Sequence, residues 1–290
     1  MSQSQQKLIA ITGPTGGIGK ATAEELARKG YRLALFARNQ EKLKELSKQL
    51  LSLGSLEVEH FTCDLADLKS VRRAAQEFRG KFDRLDVLIN NAGGIIPKLR
   101  YSADDTEYSF AMNHLGHFYL ANLLKDSLAE SDDPRMISVS SVAHIMGKLD
   151  FSDLAKRKGS YSAFKVYADA KLCNIYFTRE AARRWADFGL KAYCLHPGVV
   201  RTGFGSEYSG IMGLLIKLGA VFMISPDKGT ETSVFLATTD KDHKNGSYFI
   251  RKKKARTSKI AQDMSIASQL WKFSEELLEK TDVRKKRLSS

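Results

Sequence analysis

The stretch that most restricts what this chain can fold into is Leu8-Ile9-Ala10-Ile11-Thr12-Gly13-Pro14-Thr15-Gly16-Gly17-Ile18-Gly19-Lys20. A short apolar run opens into a glycine-rich turn, and the turn leads into a helical pattern closed by Gly30. Strand, glycine turn and helix in this order form a phosphate cradle. Glycines let the backbone come close to a pyrophosphate, and the unpaired N–H groups and positive dipole end of the helix favour its charge. The spacing is TGxxxGxG at Thr12, Gly13, Gly17 and Gly19 rather than the plain GxGxxG. The first ligand to expect is therefore a dinucleotide, with Gly13, Thr15, Gly17, Ile18 and Gly19 around its phosphates. An ordinary strand-to-helix turn is the competing reading.

The remainder alternates apolar runs of strand length with amphipathic runs of helix length. Strands are expected at Tyr31 to Ala37, Val58 to Thr62, Leu85 to Asn90, Met136 to Ser141, Leu190 to His196 and Ser247 to Ile250. Helices are expected at Glu41 to Leu53, Leu68 to Phe82, Asp104 to Ala129, Tyr161 to Asp187, Asp227 to Thr238 and Ile266 to Leu278. So many cycles demand right-handed crossovers and a parallel sheet covered on both faces. The expected fold is α/β: a doubly wound parallel sheet, Rossmann-like, in three α/β/α layers, with ligands at the carboxyl ends of the strands. With 290 residues and 43% hydrophobic content, one domain spanning 1–290 is the natural organisation.

The second strand ends in Phe36-Ala37-Arg38-Asn39, with no acid to take a ribose 2′-hydroxyl. A cation there suits a 2′-phosphate, and Lys20 sits in the first turn after the glycines. NADP(H) is therefore expected over NAD, with Lys20 and Arg38 on the phosphate. Cys63-Asp64-Leu65 ends the third strand, where Asp64 either accepts from the adenine amino group or caps the next helix. The fourth strand finishes in Asn90-Asn91-Ala92-Gly93-Gly94, whose small residues let the backbone pass a ribose; Asn90, Ala92 and Gly93 are assigned there.

The fifth strand ends at Ser140-Ser141, and the following helix carries Tyr167-Ala168-Asp169-Ala170-Lys171. Four residues apart, phenol and ammonium share one helix face. A fixed cation lowers a phenol pKa from its usual value near 10, which fits Tyr167 for acid–base work. A second pair at the same spacing, Tyr161 and Lys165, leaves the choice open on spacing alone; the rigid apolar helix after Tyr167 favours the later pair.

The set TGxxxGxG, Asn90-Asn91-Ala92-Gly93, Asn113-His114-Leu115-Gly116-His117-Phe118, Ser141, YxxxK and His196-Pro197-Gly198-Val199-Val200-Arg201-Thr202 resembles the short-chain dehydrogenase/reductase family, and within it the retinol dehydrogenase-like branch. Lys171-Leu172-Cys173-Asn174 matches that branch and again selects Tyr167. The resemblance implies hydride transfer between a nicotinamide and a carbonyl carbon, with Tyr167 moving the proton, Ser141 holding the substrate oxygen, and Lys171 binding the nicotinamide ribose while keeping the Tyr167 pKa low. It implies that Asn113 supports a water-linked relay toward Lys171, and that Pro197, Gly198, Val200 and Thr202 close over the nicotinamide. The substrate implied is a hydrophobic carbonyl or alcohol: a retinoid, steroid, lipid aldehyde or ketone. A protein that holds NADPH without turnover, or one that works at a lipid surface, is the alternative on the same fold.

The net charge of +13 suggests nucleic acid until it is located. Residues 251–290 hold 12 Lys or Arg against 5 Asp or Glu, more than half of the excess, and no basic stripe interleaved with aromatics accompanies it. We read 251–290 as a basic C-terminal extension and expect no nucleic-acid partner. The apolar run from Phe204 to Ile224 is expected to be a substrate lid; a peripheral membrane contact or a homodimer face are its other readings. The helix near Ile266 is expected to cross that lid or an interface. A polar start at Met1 to Lys7 and three unpaired cysteines suggest a cytoplasmic protein without an anchor. His114 and His117 have no third ligand at metal spacing and read as packing residues, so no metal site is expected.

Overall fold

A strand buried on both faces must be apolar along its whole length, because successive side chains point to opposite sides. β1 (Leu8–Thr12) is buried throughout. Leu8 and Ala10 pack with Phe36, Leu88 and Met136 on one face. Ile9 and Ile11 pack with Leu33, Leu35 and Ile89 on the other. The computed structural model describes residues 7–157, 159–198 and 226–288. Around β1 run β2 (Arg32–Ala37), β3 (Glu57–Thr62), β4 (Val87–Asn90), β5 (Arg135–Val139), β6 (Lys191–His196) and β7 (Tyr248–Ile250), all paired in parallel. β8 (Lys253–Ala255) closes the sheet antiparallel to β7, and the strand order is β3-β2-β1-β4-β5-β6-β7-β8.

The helices are α1 (Gly17–Arg28), α2 (Gln40–Ser52), α3 (Leu68–Arg79), α4 (Tyr108–Phe110), α5 (Gly116–Leu123), α6 (Lys125–Ala129), α7 (Ala163–Arg184), α8 (Pro226–Thr238) and α9 (Met264–Leu288). Leu26 of α1, Leu43, Leu46 and Leu50 of α2, and Leu236 of α8 cover one face. Val71 of α3, Phe118 of α5, Tyr176 of α7 and Trp271 of α9 cover the other. This is the doubly wound, three-layer arrangement, and the order reverses beside β1, where β2 lies on one side and β4 on the other. That reversal opens a crevice at the carboxyl ends of the strands.

Two expectations are corrected. The helix read from Asp104 to Ala129 is broken up. Asp104 instead accepts from Leu68 N at 2.8 Å, capping α3, and Glu107 starts α4 by accepting from Ser109 N and Phe110 N at 2.8 and 2.7 Å. A π turn, Ala111–Leu115, then precedes α5, and Leu124 breaks the run before α6. The supposed basic extension is part of the fold: Lys253–Ala255 is a strand, reached through Arg251 and Lys252 at φ 50° and 62°. The last helix packs on the core. Trp271 meets Phe118, Phe177 and Trp185 with ring centroids 4.9, 5.9 and 5.5 Å apart. The proposed lid at Phe204 to Ile224 lies outside the described residues.

Candidate active site

Helices usually satisfy their first N–H groups with a capping side chain. Asn39 caps α2 through Lys42 N at 2.9 Å, and Asp67 caps α3 through Lys69 N at 2.9 Å. Gly16, the cap of α1, offers no side chain. The first turn of α1 is thus left with free donors, and Gly13, Thr15, Gly16, Gly17, Ile18 and Gly19 line a cavity of about 1130 Å³. Gly13 has φ +66°, and a Cβ there would come within 2.9 Å of Ala92 Cβ; one on Gly19 would overlap the Gly13 carbonyl. Donors, glycines and space fit the phosphates of a dinucleotide.

The adjoining wall is made by Arg38, Lys42, Asp64 and Leu65. Arg38 Nη1 donates to the Tyr108 hydroxyl at 3.1 Å, and Arg100 lies 3.6 Å above the Tyr108 ring, so the guanidinium is held in place. Lys20 is not on this wall: its ammonium faces outward, 3.7 Å from Glu24. The second cation on this wall is Lys42, which the sequence reading passed over. Asp64 accepts from Ala66 N at 3.0 Å, a local turn bond, while Asp67 takes the cap of α3.

Thr12 locks the two turns together. Its Oγ1 accepts from Asn91 N and Ala92 N at 2.9 and 3.0 Å, and Asn91 Nδ2 donates to Thr12 O at 2.8 Å. Asn91, Ala92, Gly93 and Gly94 therefore face the cavity. Asn90 does not, because strand alternation turns it under the sheet, 2% exposed. At Gly93 (φ +154°) a Cβ would collide with Asn113 Oδ1 and stand 3.2 Å from Lys171 Nζ.

Ser141, Tyr167 and Lys171 meet on the opposite wall, with His196, Pro197 and Gly198 beside them. Ser141 caps the 3-10 turn Val142–Met146, and its side chain hydrogen-bonds the Tyr167 phenol. Lys171 Nζ lies 5.5 Å from the Tyr167 ring centre and donates to Val139 O at 2.9 Å. Burial governs both groups. It pushes the Tyr167 phenol up to about 12, the Ser141 bond pulling the other way, and it brings Lys171 down to about 8. Desolvation is thus the largest influence on the Tyr167 phenol in this arrangement.

Asn113 sits in the π turn, fully buried. Its Nδ2 donates to Ser109 O and Gly94 O at 2.9 and 3.1 Å, and its Oδ1 accepts from Gly94 N at 3.0 Å. Its side chain is thus a pin for the Gly93–Gly94 loop. The rival pair is committed elsewhere: Tyr161 donates to Ile96 O at 2.7 Å and Lys165 pairs with Asp169. His114 and His117 are buried, against Ser274 Oγ at 3.1 Å and Thr12 Oγ1 at 2.8 Å. Val200 and Thr202 lie outside the described residues. Sequence reading missed the mouth. Val142, Ile145, Met146 and Phe164 line it, and they are 41, 60, 64 and 46% exposed. Their signal was the apolar Val142–Met146 run directly after Ser141.

Residues 7–210 match the family whose description is short chain dehydrogenase. The chain belongs to the short-chain dehydrogenase family. Among its relatives is mouse retinol dehydrogenase 12, 38% identical over 274 residues, covering 94% of this chain and 86% of that protein. A solved protein of Mycobacterium paratuberculosis is 32% identical, with TM-score 0.76 over 94% of this chain and 93% of that one. An alcohol dehydrogenase from Thermococcus sibiricus, complexed with 5-hydroxy-NADP, is 25% identical, with TM-score 0.64 over 82% of this chain and 93% of that one. As a member of this family the chain is an oxidoreductase with a nicotinamide cofactor, acting on an alcohol or carbonyl group. Among the described residues no helix is long and apolar enough to cross a membrane.

Proposed function

We propose that this chain is an NADP(H)-dependent enzyme that interconverts a carbonyl and an alcohol on a hydrophobic small molecule: a retinoid, a steroid, a lipid aldehyde or a ketone. The observation that carries the reading is the convergence of Ser141, Tyr167 and Lys171 on the cavity that begins at the glycine cradle. The nicotinamide, when bound, supplies or takes up the hydride. Tyr167 gives its proton to the substrate oxygen in reduction and takes it back in oxidation. A phenol held near 12 is protonated at neutral pH, which favours its use as the acid. Ser141 steadies the substrate oxygen as charge gathers on it. Lys171 binds the nicotinamide ribose, and its link to Val139 O fixes it for that task.

Gly13, Thr15, Gly17, Ile18, Gly19, Ala92, Gly93, Pro197 and Gly198 are the further contacts we assign to the nucleotide; Val200 and Thr202 join them on family resemblance alone. Arg38 and Lys42 supply the charge that a 2′-phosphate needs, and the 5-hydroxy-NADP complex of the Thermococcus sibiricus relative supports that choice. The apolar mouth supports a greasy substrate, as does the retinol named for the mouse relative.

The test is consumption of NADPH, with a matched NADH series, against all-trans-retinal, medium-chain aldehydes, a steroid ketone and a quinone. Turnover of at least one carbonyl with NADPH preferred is the expected result. Tight NADPH binding with no turnover of any of them would favour a sensor.

A further inference from the structure

A loose arginine is a poor phosphate receptor, because its long side chain gives up rotamer freedom when the ligand arrives. Arg38 stands just past the end of β2 and is exposed, yet it is held. The group that holds it is the Tyr108 hydroxyl, which accepts from Arg38 Nη1 at 3.1 Å although 70 positions separate the two in the chain. Tyr108 is 9% exposed and packs among Ala66, Ile96 and Ala111. The core therefore fixes the acceptor, while the arginine it holds reaches the cavity wall.

The choice of a phenol matters. A carboxylate at this place would also fix the guanidinium but would cancel its charge; a neutral phenol fixes it and leaves the charge for a ligand. Arg100 lies over the face of the same ring, 3.6 Å from its centre, held by a cation–π contact that does not neutralise it either. Among the described residues neither arginine is ion-paired with an acid. Two cations kept one ring apart repel each other, and an anion seated beside both relieves that repulsion. Lys42 adds positive charge on the same wall, and the carboxylate there, Asp64, is turned to the Ala66 N–H. Nothing local to β2 places these groups. Tyr108 N donates to Arg100 O at 3.0 Å and Tyr101 bridges Glu107 antiparallel, which makes 100–108 a hairpin. Glu107 caps α4 and Asp104 accepts from Leu68 N, so the hairpin is anchored to two helices.

We propose that Tyr108 is a specificity-determining positioning residue: with Arg100 stacked on its face, it presets Arg38 for the 2′-phosphate of NADP(H). The phosphate oxygens take the donors of Arg38 that Tyr108 leaves open, and Arg100 adds positive charge to the same corner. NADH, with a hydroxyl in place of that phosphate, is indifferent to the arrangement. The inference rests on the NADP(H) reading of the cavity given above, and it adds to that reading two residues that do not themselves line the cavity.

The test is a set of Kd values for NADPH and NADH, read from nucleotide fluorescence with the full chain, and it needs no substrate. Tyr108→Phe keeps the ring under Arg100 and removes the acceptor. It should weaken NADPH about three- to tenfold, the effect of one hydrogen bond, and leave NADH within about twofold. Arg100→Gln should weaken NADPH about two- to fivefold, with NADH again spared. In an Arg38→Ala background, Tyr108→Phe should change the Kd of NADPH by less than about twofold, because the group it positions is gone. Equal losses for both nucleotides, or an undiminished effect of Tyr108→Phe in the Arg38→Ala background, would overturn the proposal. A wild-type chain that binds NADH as tightly as NADPH would strike the NADP(H) reading and this inference with it. A wild-type preference for NADPH that Arg38→Ala abolishes and Tyr108→Phe leaves whole would strike this inference alone.

Discussion

At the scale of single residues, the account divides labour among side chains whose environments differ. Ser141→Ala removes a donor to the developing oxyanion, so reductive kcat is expected to fall about 10²–10³-fold, measured by NADPH absorbance. Arg38→Asp should raise the KM for NADPH about 10- to 100-fold while leaving NADH within a few-fold, because a hydrogen bond to a charged group is worth about 1.5–3 kcal/mol. An equal loss for both nucleotides would assign Arg38 to structure alone. Lys171 is held near 8, so its ammonium is present below that pH and lost above it. Reductive kcat/KM should therefore decline as pH rises through about 8. The YxxxK spacing with its context Lys171-Leu172-Cys173-Asn174 led to Tyr167 and Lys171, yet it could not tell what burial does to both pKa values, because that depends on the helices and strands packed around them. Nor could it place Lys42 on the cavity wall, a matter of which side of α2 faces the cleft.

At the scale of elements, the strands and most helices were legible because their apolar periods differ and a glycine such as Gly30 marks a helix end. The segment from Asp104 to Ala129 was not. A π turn has no periodic signature, and what fixes it here is tertiary: Asp104 goes to Leu68 N and Asn113 to Gly94. The short strand Lys253–Ala255 reads as a run of charge, since an edge strand needs few apolar residues and lysines guard its open side. α9 is the element whose sequence gave least idea of its partner. Trp271 joins it to three aromatic rings, so Trp271→Ala should cost about 3–5 kcal/mol in urea unfolding. A loss below about 1 kcal/mol would mean that α9 is only laid against the fold.

At the scale of the whole molecule, buried histidines set the acid limit. Burial holds His114 near 3, and His117 and His196 near 4, below the usual 6.5. The unfolded chain thus takes up protons at about 6.5 that the folded chain refuses until far lower pH. Stability from this source is complete above about 6.5 and is lost as pH falls toward 4. The melting temperature should drop over that window, and less so in a folded His114→Gln variant. The same burial keeps Tyr167 protonated, which ties the fold to its chemistry: a packed interior brings an acid, a cation and a phosphate cradle to one crevice. The measurement that bears most directly on this is kcat/KM for NADPH-dependent reduction of all-trans-retinal in wild type and Tyr167→Phe, with the Kd of NADPH measured alongside. The account expects a loss of about 10²–10⁴-fold with Kd unchanged within twofold; a Tyr167→Phe enzyme reducing retinal at the wild-type rate would contradict it.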